Sequence, residues 1–475
     1  MGTTITDVTP ASASSEIDRK ERRRLKVLSV CLGFGQGCGL CFYVGAGSYY
    51  AALFNNSRFF IHYCAFFYIP PIVVSISAVL FDRAFDLKHG VRVTSKFRIF
   101  LSGFAVTVLL VVLCFISNFN HSPFGVPKVY AGEGAIIYCF GSILGIFCSI
   151  LISASCALLG TVEAGMVPLA ILGQTSAGVY TNIVARLIGF GPGTEIWRLQ
   201  TYLLIASGCV LAAMGMFACF NRKGILERSY QYHETILASA SNHDLCTTFS
   251  EDQLATRSES AESAVDDPLI QKYPCCPLSV EASPMHVEVT TQRSSLFGEA
   301  ARFPGICWSM AICQALAIAM NMSLTPLANQ VAKGDFDFAQ TLVLIKLLSD
   351  FVGRVIFFLL PQPRRAVPSW SFHSVQFQAF AVWCVEVLRL PLWLTLYARA
   401  RDVRIGPLSD FIADHQVLLW LVWLPLISLG AMSSSWCCVV AITSASEMQR
   451  TPVNVLMASS LYAGFSCGIS MALVS

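Results

Sequence analysis

Apolar runs of about 20 residues, the length a helix needs to cross a bilayer's hydrocarbon core, recur along this chain with short polar breaks between them. They predict spanning helices near 26–53, 59–81, 99–118, 133–158, 166–189, 197–220, 305–331, 336–360, 374–397, 416–441 and 452–474, about eleven in all. Gly160, Glu163, Gly165 and Pro168 interrupt the longest apolar run, and that cluster reads as a turn between the fourth and fifth segments. Between the sixth and seventh segments lies a polar stretch containing SASNHDLC and SEDQLATRSESAESAVDDP. Its hydrophobicity is too low to repay the entropy of ordering, which predicts a disordered cytoplasmic loop. The chain thus divides into a cytoplasmic tail (1–25), a six-helix bundle (26–220), the loop (221–304) and a five-helix bundle (305–475). The fold class is an all-α polytopic membrane protein with two bundles, 6+5.

Composition agrees. Of 475 residues, 55% are hydrophobic and 13% charged, against about 25% charged in a soluble domain. The mean hydropathy is +0.61. A net charge of +3 gives no argument for nucleic acid. No Ala-x-Ala site follows a short apolar run, so the first segment is expected to stay as an anchor. Lys and Arg cluster in the tail (DRKERRRLK), at Arg83, Lys88, Arg92, Lys96 and Arg98, at Arg222 and Lys223, and at Arg364 and Arg365. These fall on one side, which is read as the cytosol. Arg58, Lys128 and Lys333 fall on the other, and the loop with Arg399, Arg401 and Arg404 runs against the rule. The N-terminus is then cytoplasmic and the C-terminus extracellular. The sequon Asn55-Asn56-Ser57 faces outward in a very short loop.

A nucleophile elbow, a His-Glu-x-x-His helix and a Walker loop are all missing from the sequence, so no enzyme class and no cofactor is indicated. Without an ATP motif, any transport is passive or ion-coupled. The 19 cysteines are scattered, many of them within apolar stretches, and Cys275-Cys276 and Cys437-Cys438 lack zinc spacing, so no metal is expected. Gly33/Gly37 and Gly35/Gly39 form small-x-x-x-small pairs suited to close helix contact.

The most telling residues are charges inside the eighth segment. Lys346, Asp350 and Arg354 follow an i, i+4, i+8 spacing and share one helix face. Each charge costs about 2.5–3.5 kcal/mol near a helix centre, so such residues turn to a protein interior or a wet cavity. Arg354 can grip oxygens with its planar fork, and Asp350 can accept hydrogen bonds from hydroxyl or ring N–H groups. The alternative is an intrahelical ion pair that holds the bundle together. Lys346 has a long stem that can snorkel. Glu386 and Arg389, at i, i+3 in the ninth segment, read first as a structural pair and second as a gate. Gln314, Asn321, Thr325 and Pro326 mark the seventh segment, where Pro326 should kink the helix. Gln36 and Gln174 read as interhelical glue or ligand contacts. Glu163 is an interfacial turn residue, or a proton-binding candidate if the helix continues through it.

Several of these motifs, in order, resemble the equilibrative nucleoside transporter family. Asp350-Phe-Val-Gly353-Arg354 is similar to its Asp-x-x-Gly-Arg signature, and Gly173-Gln174-x-x-Ala177-Gly178 to its fifth-helix run. Arg389-Leu-Pro391-Leu, Pro326 and Leu32-Gly33-x-Gly35 resemble features of its ninth, seventh and first helices. The resemblance implies a major-facilitator-like fold and alternating access. It further implies Asp350 and Arg354 on the nucleoside, mainly its ribose, and Thr325 lining the cavity. The chain departs from the family at Gly39-Leu40-Cys41, where many members have Pro-Trp-Asn. The family's fourth-helix Gln has no counterpart, and Ser153 and Ser155 are the polar groups nearest it. Together these readings give a transporter of nucleosides or nucleobases, facilitative or proton-coupled. Asp350, Arg354, Thr325, Ser153 and Gln174 are its substrate-binding candidates, and Lys346, Glu386, Arg389 and Glu163 its gating or proton-coupling candidates. The expected partners are the small-molecule substrate, the lipid bilayer and, in the coupled case, H+. The alternatives left open are a facilitator for another small polar solute, such as a sugar or amino acid, and a non-transporting scaffold or receptor.

Overall fold

In a bilayer every backbone polar group has to be satisfied within the protein, so apolar segments of this length fold as helices. The computed structural model describes residues 19–54, 59–119, 133–162, 165–222, 226–227, 230–231, 234–235, 304–331, 336–364, 367–369, 371–400, 403, 416–445 and 450–473. Among them are twelve helices: α1 (Arg19–Leu53), α2 (Phe59–Tyr68), α3 (Pro70–His89), α4 (Val91–Phe119), α5 (Glu133–Val162), α6 (Met166–Leu187), α7 (Ile196–Arg222), α8 (Gly305–Val331), α9 (Phe336–Phe357), α10 (Val375–Ala400), α11 (Gln416–Ser444) and α12 (Arg450–Leu473). Residues 236–303 of the central polar stretch, the sequon, Arg401, Arg404 and Glu163 lie outside the described residues. The turn expected around Glu163 falls between the end of α5 and the start of α6.

Among the described residues, nine spans are long and apolar enough to cross a membrane, the second running from α2 into α3. Helices α6 and α9, 22 residues each, are not among them. Polar residues lower their hydropathy, among them Gln174, Thr181 and Asn182 on α6 and Lys346, Asp350 and Arg354 on α9.

The second segment is not the single helix expected over 59–81. Proline has no amide hydrogen, and Pro70 and Pro71 end α2 and open α3. The carbonyls left over at the break find other partners. Ser142 Oγ on α5 donates to Phe66 O at 2.9 Å, and Ser466 Oγ on α12 donates to Tyr68 O at 2.8 Å. Gly145 lies against Phe67 O, where a Cβ would collide. The basic stretch after this segment is not a loop either. Lys88 lies on α3 and Arg92, Lys96 and Arg98 on α4, and the helices join at Gly90 with φ +81°. Asp86 caps this corner, accepting from Thr94 Oγ1 at 2.6 Å and pairing with Arg98 at 3.4 Å.

Two parallel helix pairs recur, one in each half. In the first, Gly33 lies against the backbone of Ala170, Gly37 against Gln174 and Ala177, and Gly173 against Val30 O, so α1 and α6 touch backbone to backbone. In the second, Gly464 lies against Ala315 and Ile318, and Gly468 against Ala319 and Met322, so α8 and α12 do the same. Small residues permit this approach, and dispersion drives it in lipid. Helices α4, α7 and α10 form the outer flank, where Phe104, Phe115, Leu204, Leu211, Phe380 and Leu388 are exposed.

The halves meet chiefly through α12, which packs on α2, α3 and α5, and through α6 against α9. Tyr68 and Phe465 are in ring contact at 5.0 Å, and Ser459 Oγ donates to Ser75 O at 3.2 Å. Ile152 and Cys156 of α5 and Val167 and Ile171 of α6 share one apolar cluster with Met310, Cys438, Val453 and Leu461.

Candidate functional site

Helix α9 carries the charged face, and its position follows from one glycine. A Cβ at Gly353 would collide with the Ser428 carbonyl, so α9 lies close against α11 at this point. Ser428 Oγ donates back to Ser349 O at 3.1 Å. This contact sets Arg354, the next residue, beside α11, where its Nη1 donates to Ser435 Oγ at 3.1 Å. Arg354 Nε also donates to Asp350 Oδ2 at 3.1 Å, so the i, i+4 pair is formed. The Asp350 side chain is 19% exposed and that of Arg354 9%, so the carboxylate is the more open of the two.

Lys346, one turn earlier, is 7% exposed. Its ammonium donates to Thr325 Oγ1 on α8 at 2.6 Å, with Met322 Sδ at 3.9 Å. Thr325 and Lys346, assigned separate roles from sequence, are thus joined. Helix α8 runs unbroken past position 326. Opposite, the first half presents Gly178 of α6, whose missing side chain leaves room for Leu347 of α9 and Cys41 of α1. Cys41 lies within electrostatic reach of both Lys346 and Asp350, and Cys64 of α2 within reach of Lys346. Gln174 sits one turn before Gly178 on α6 and is half-buried. Lys346, Asp350, Thr325 and Cys41 therefore converge where the halves face each other.

Other candidates sit elsewhere. Ser153 is buried on α5, and its hydroxyl has no hydrogen-bond partner among the described residues. Its neighbours Ile152 and Cys156 belong to the apolar cluster shared by both halves. Glu386 and Arg389 are fully buried within the second half and form an ion pair. Arg389 Nε donates to Leu426 O at 2.8 Å and its Nη2 to Asn321 Oδ1 at 2.6 Å, tying α10 to α11 and α8. Gly430 makes room for the guanidinium, since a Cβ there would collide with it. The geometry is that of a brace between three helices. Gln36 acts as glue, with Nε2 donating to Leu151 O at 3.3 Å. Sequence reasoning did not single out Cys41, Cys64 or Ser435; Cys41 was visible only as a departure from the family's polar first-helix motif.

No protein-family model and no curated protein sequence matches the chain. Solved structures do. A major facilitator superfamily proton:xylose symporter, XylE bound to 6-bromo-6-deoxy-D-glucose, is similar with a TM-score of 0.59 and 12% identity over 96% of this chain and 89% of that one. This chain has the major facilitator fold. A bacterial homologue of the iron transporter ferroportin, in an outward-facing state, is similar with a TM-score of 0.54 and 9% identity over 96% of this chain and 92% of that one. In the major facilitator fold the halves are repeats related by an axis along the membrane normal, and the recurring pairs α1–α6 and α8–α12 are that repeat. Helix α9, which carries the charged face, is the element of the second half that packs on α6 of the first.

Proposed function

We propose that this chain is a transporter of nucleosides or nucleobases that works by alternating access. The observation that carries the reading is the Asp350–Arg354 pair on α9, the helix that packs on α6 of the other half, with its carboxylate the more open member. A carboxylate accepts from ribose hydroxyls or base N–H groups, and a guanidinium donates to hydroxyl or carbonyl oxygens. The resemblance of Asp350-x-x-Gly353-Arg354 and of Gly173-Gln174-x-x-Ala177-Gly178 to nucleoside-transporter motifs supports that substrate class over sugars. Thr325 and Gln174 complete the candidate lining, and Ser153 is kept as a secondary contact from α5. Two halves that touch along one principal helix, α12, suit a rocking exchange of access. The N-terminus is assigned to the cytosol by the Lys and Arg distribution, and the chain to the plasma membrane as the commonest location in the family it resembles.

The test is uptake of radiolabelled adenosine, uridine and hypoxanthine by transport-deficient cells, at acidic and neutral external pH, beside Asp350→Asn. Saturable uptake that the variant loses, with both proteins at the surface, supports the proposal, and stimulation by acid adds proton coupling. No uptake of any nucleoside or nucleobase, neutral or charged, by surface-exposed protein sinks it in favour of another small polar solute or a non-transporting role.

A further inference from the structure

The charges at the centre do not balance. Asp350 is engaged by Arg354 through Oδ2 at 3.1 Å. Lys346 is 7% exposed and has no carboxylate within ion-pair distance among the described residues. Its ammonium has three N–H donors, and the hydrogen bond to Thr325 Oγ1, 2.6 Å long, uses one. Met322 Sδ at 3.9 Å is a weak acceptor. The first half offers Cys41, Cys64 and Gly178 nearby, none of them an acid, and Asp350 is the nearest carboxylate on α9 itself. Two cations and one carboxylate leave the face of α9 with one surplus positive charge at membrane depth. An unpaired charge there is costly, and Thr325 fixes its direction instead of letting it snorkel to the surface.

We infer that Lys346 is the counter-ion for an anionic group on the transported solute. The substrate class is then a negatively charged nucleobase or nucleoside, such as a pyrimidine carboxylate or an oxopurine monoanion. This rests on the nucleoside and nucleobase reading and narrows it. In the bound state the solute's anionic group takes the N–H donors of Lys346 that Thr325 does not, displacing the weak contact to Met322 Sδ, its ring N–H groups face Asp350, and the site is neutral when the halves move. A neutral base leaves the surplus charge uncompensated.

The experiment compares labelled orotate with labelled uracil, which share a ring and differ by one carboxylate, in cells carrying wild type, Lys346→Met or Lys346→Arg. The expected result is orotate uptake by wild type, with an orotate-to-uracil ratio that falls at least tenfold in Lys346→Met and is held in Lys346→Arg. A tenfold change corresponds to about 1.4 kcal/mol. Competition on wild type gives an answer even if Lys346→Met does not reach the membrane: orotate should inhibit uracil or hypoxanthine uptake more strongly than neutral thymine does. Uptake of uracil or hypoxanthine with orotate excluded, an unchanged ratio in Lys346→Met, or weaker inhibition by orotate than by thymine overturns the inference and leaves the nucleobase reading in place. If surface-exposed wild type moves no base and no nucleoside, charged or neutral, both fall together.

Discussion

Gly353 lies against the carbonyl of Ser428, and the adjacent Arg354 reaches Ser435 on the same helix. The glycine of the Asp-x-x-Gly-Arg run is therefore a spacing element. A methyl group at 353 has to push α9 off α11, at a typical overpacking cost of about 1–3 kcal/mol. Gly353→Ala is expected to lower uptake at least tenfold, with a smaller loss of melting temperature, because displacing Arg354 disrupts the site more than the fold. Wild-type uptake by Gly353→Ala would sink the spacing argument.

The buried brace makes a separate prediction. Removing one partner of a buried ion pair strands the other charge, at a cost of about 3–5 kcal/mol, whereas removing both is often nearly neutral. Arg389→Met should melt well below wild type in detergent, and Glu386→Met should follow. The double variant should recover much of the loss, because the two effects are coupled. Equal melting of wild type and both single variants would count against the brace.

A third prediction concerns the contact between halves. Gly160 on α5 lies against the side chain of Asn454 on α12. Cysteines at both positions should form a disulfide under mild oxidation and hold the halves together there. Uptake should stop on oxidation and return on reduction. The two single-cysteine variants serve as controls for the 19 native cysteines. Full uptake by the verified cross-linked protein would argue against separation of α5 and α12 during transport.

The fourth concerns the corner between α3 and α4, beyond the apolar span. Burial pushes the Asp86 carboxyl above the usual carboxylate range, partly opposed by its hydrogen bond from Thr94 and by Arg98. A raised folded-state pKa means the folded protein holds its proton more tightly than the unfolded chain does. The resulting stability is present at low pH and is lost as pH rises through the folded value. Between neutral pH and the ordinary Asp value of about 3.9, acidification should raise melting more in wild type than in Asp86→Asn. Identical pH profiles for the two proteins would rule this contribution out.

Much of the architecture was legible because it is written in local patterns. Apolar run length located the helices, and the i, i+4 spacing of Asp350 and Arg354 allows the intrahelical pair that forms, the reading the sequence ranks second to a ligand site. The i, i+3 spacing of Glu386 and Arg389 gave their ion pair but not the contacts that make it a brace. What local spacing cannot carry is the register between helices. Nothing in the order of residues says that Lys346 meets Thr325, 21 positions away, or that Asn321 of α8 completes the partners of Arg389. The break at Pro70-Pro71 was readable and was missed because the hydropathy of the segment is continuous across it. The helical corner at Gly90 was missed for the opposite reason: its Lys and Arg look like loop residues, yet Asp86 and Thr94 hold them in helices.

The concentration of contact between halves on α12 makes that helix a dial on speed. Helices α1 with α6, and α8 with α12, are joined backbone to backbone, so under the proposed alternating access the free energy of exchange is set where α12 meets α2, α3 and α5 and where α6 meets α9. Residues such as Ser459, Phe465 and Ser466 touch that seam and lie outside the charged face. Substitutions there should retune how often the protein turns over while leaving its choice of solute alone, so turnover and selectivity can drift independently in one chain.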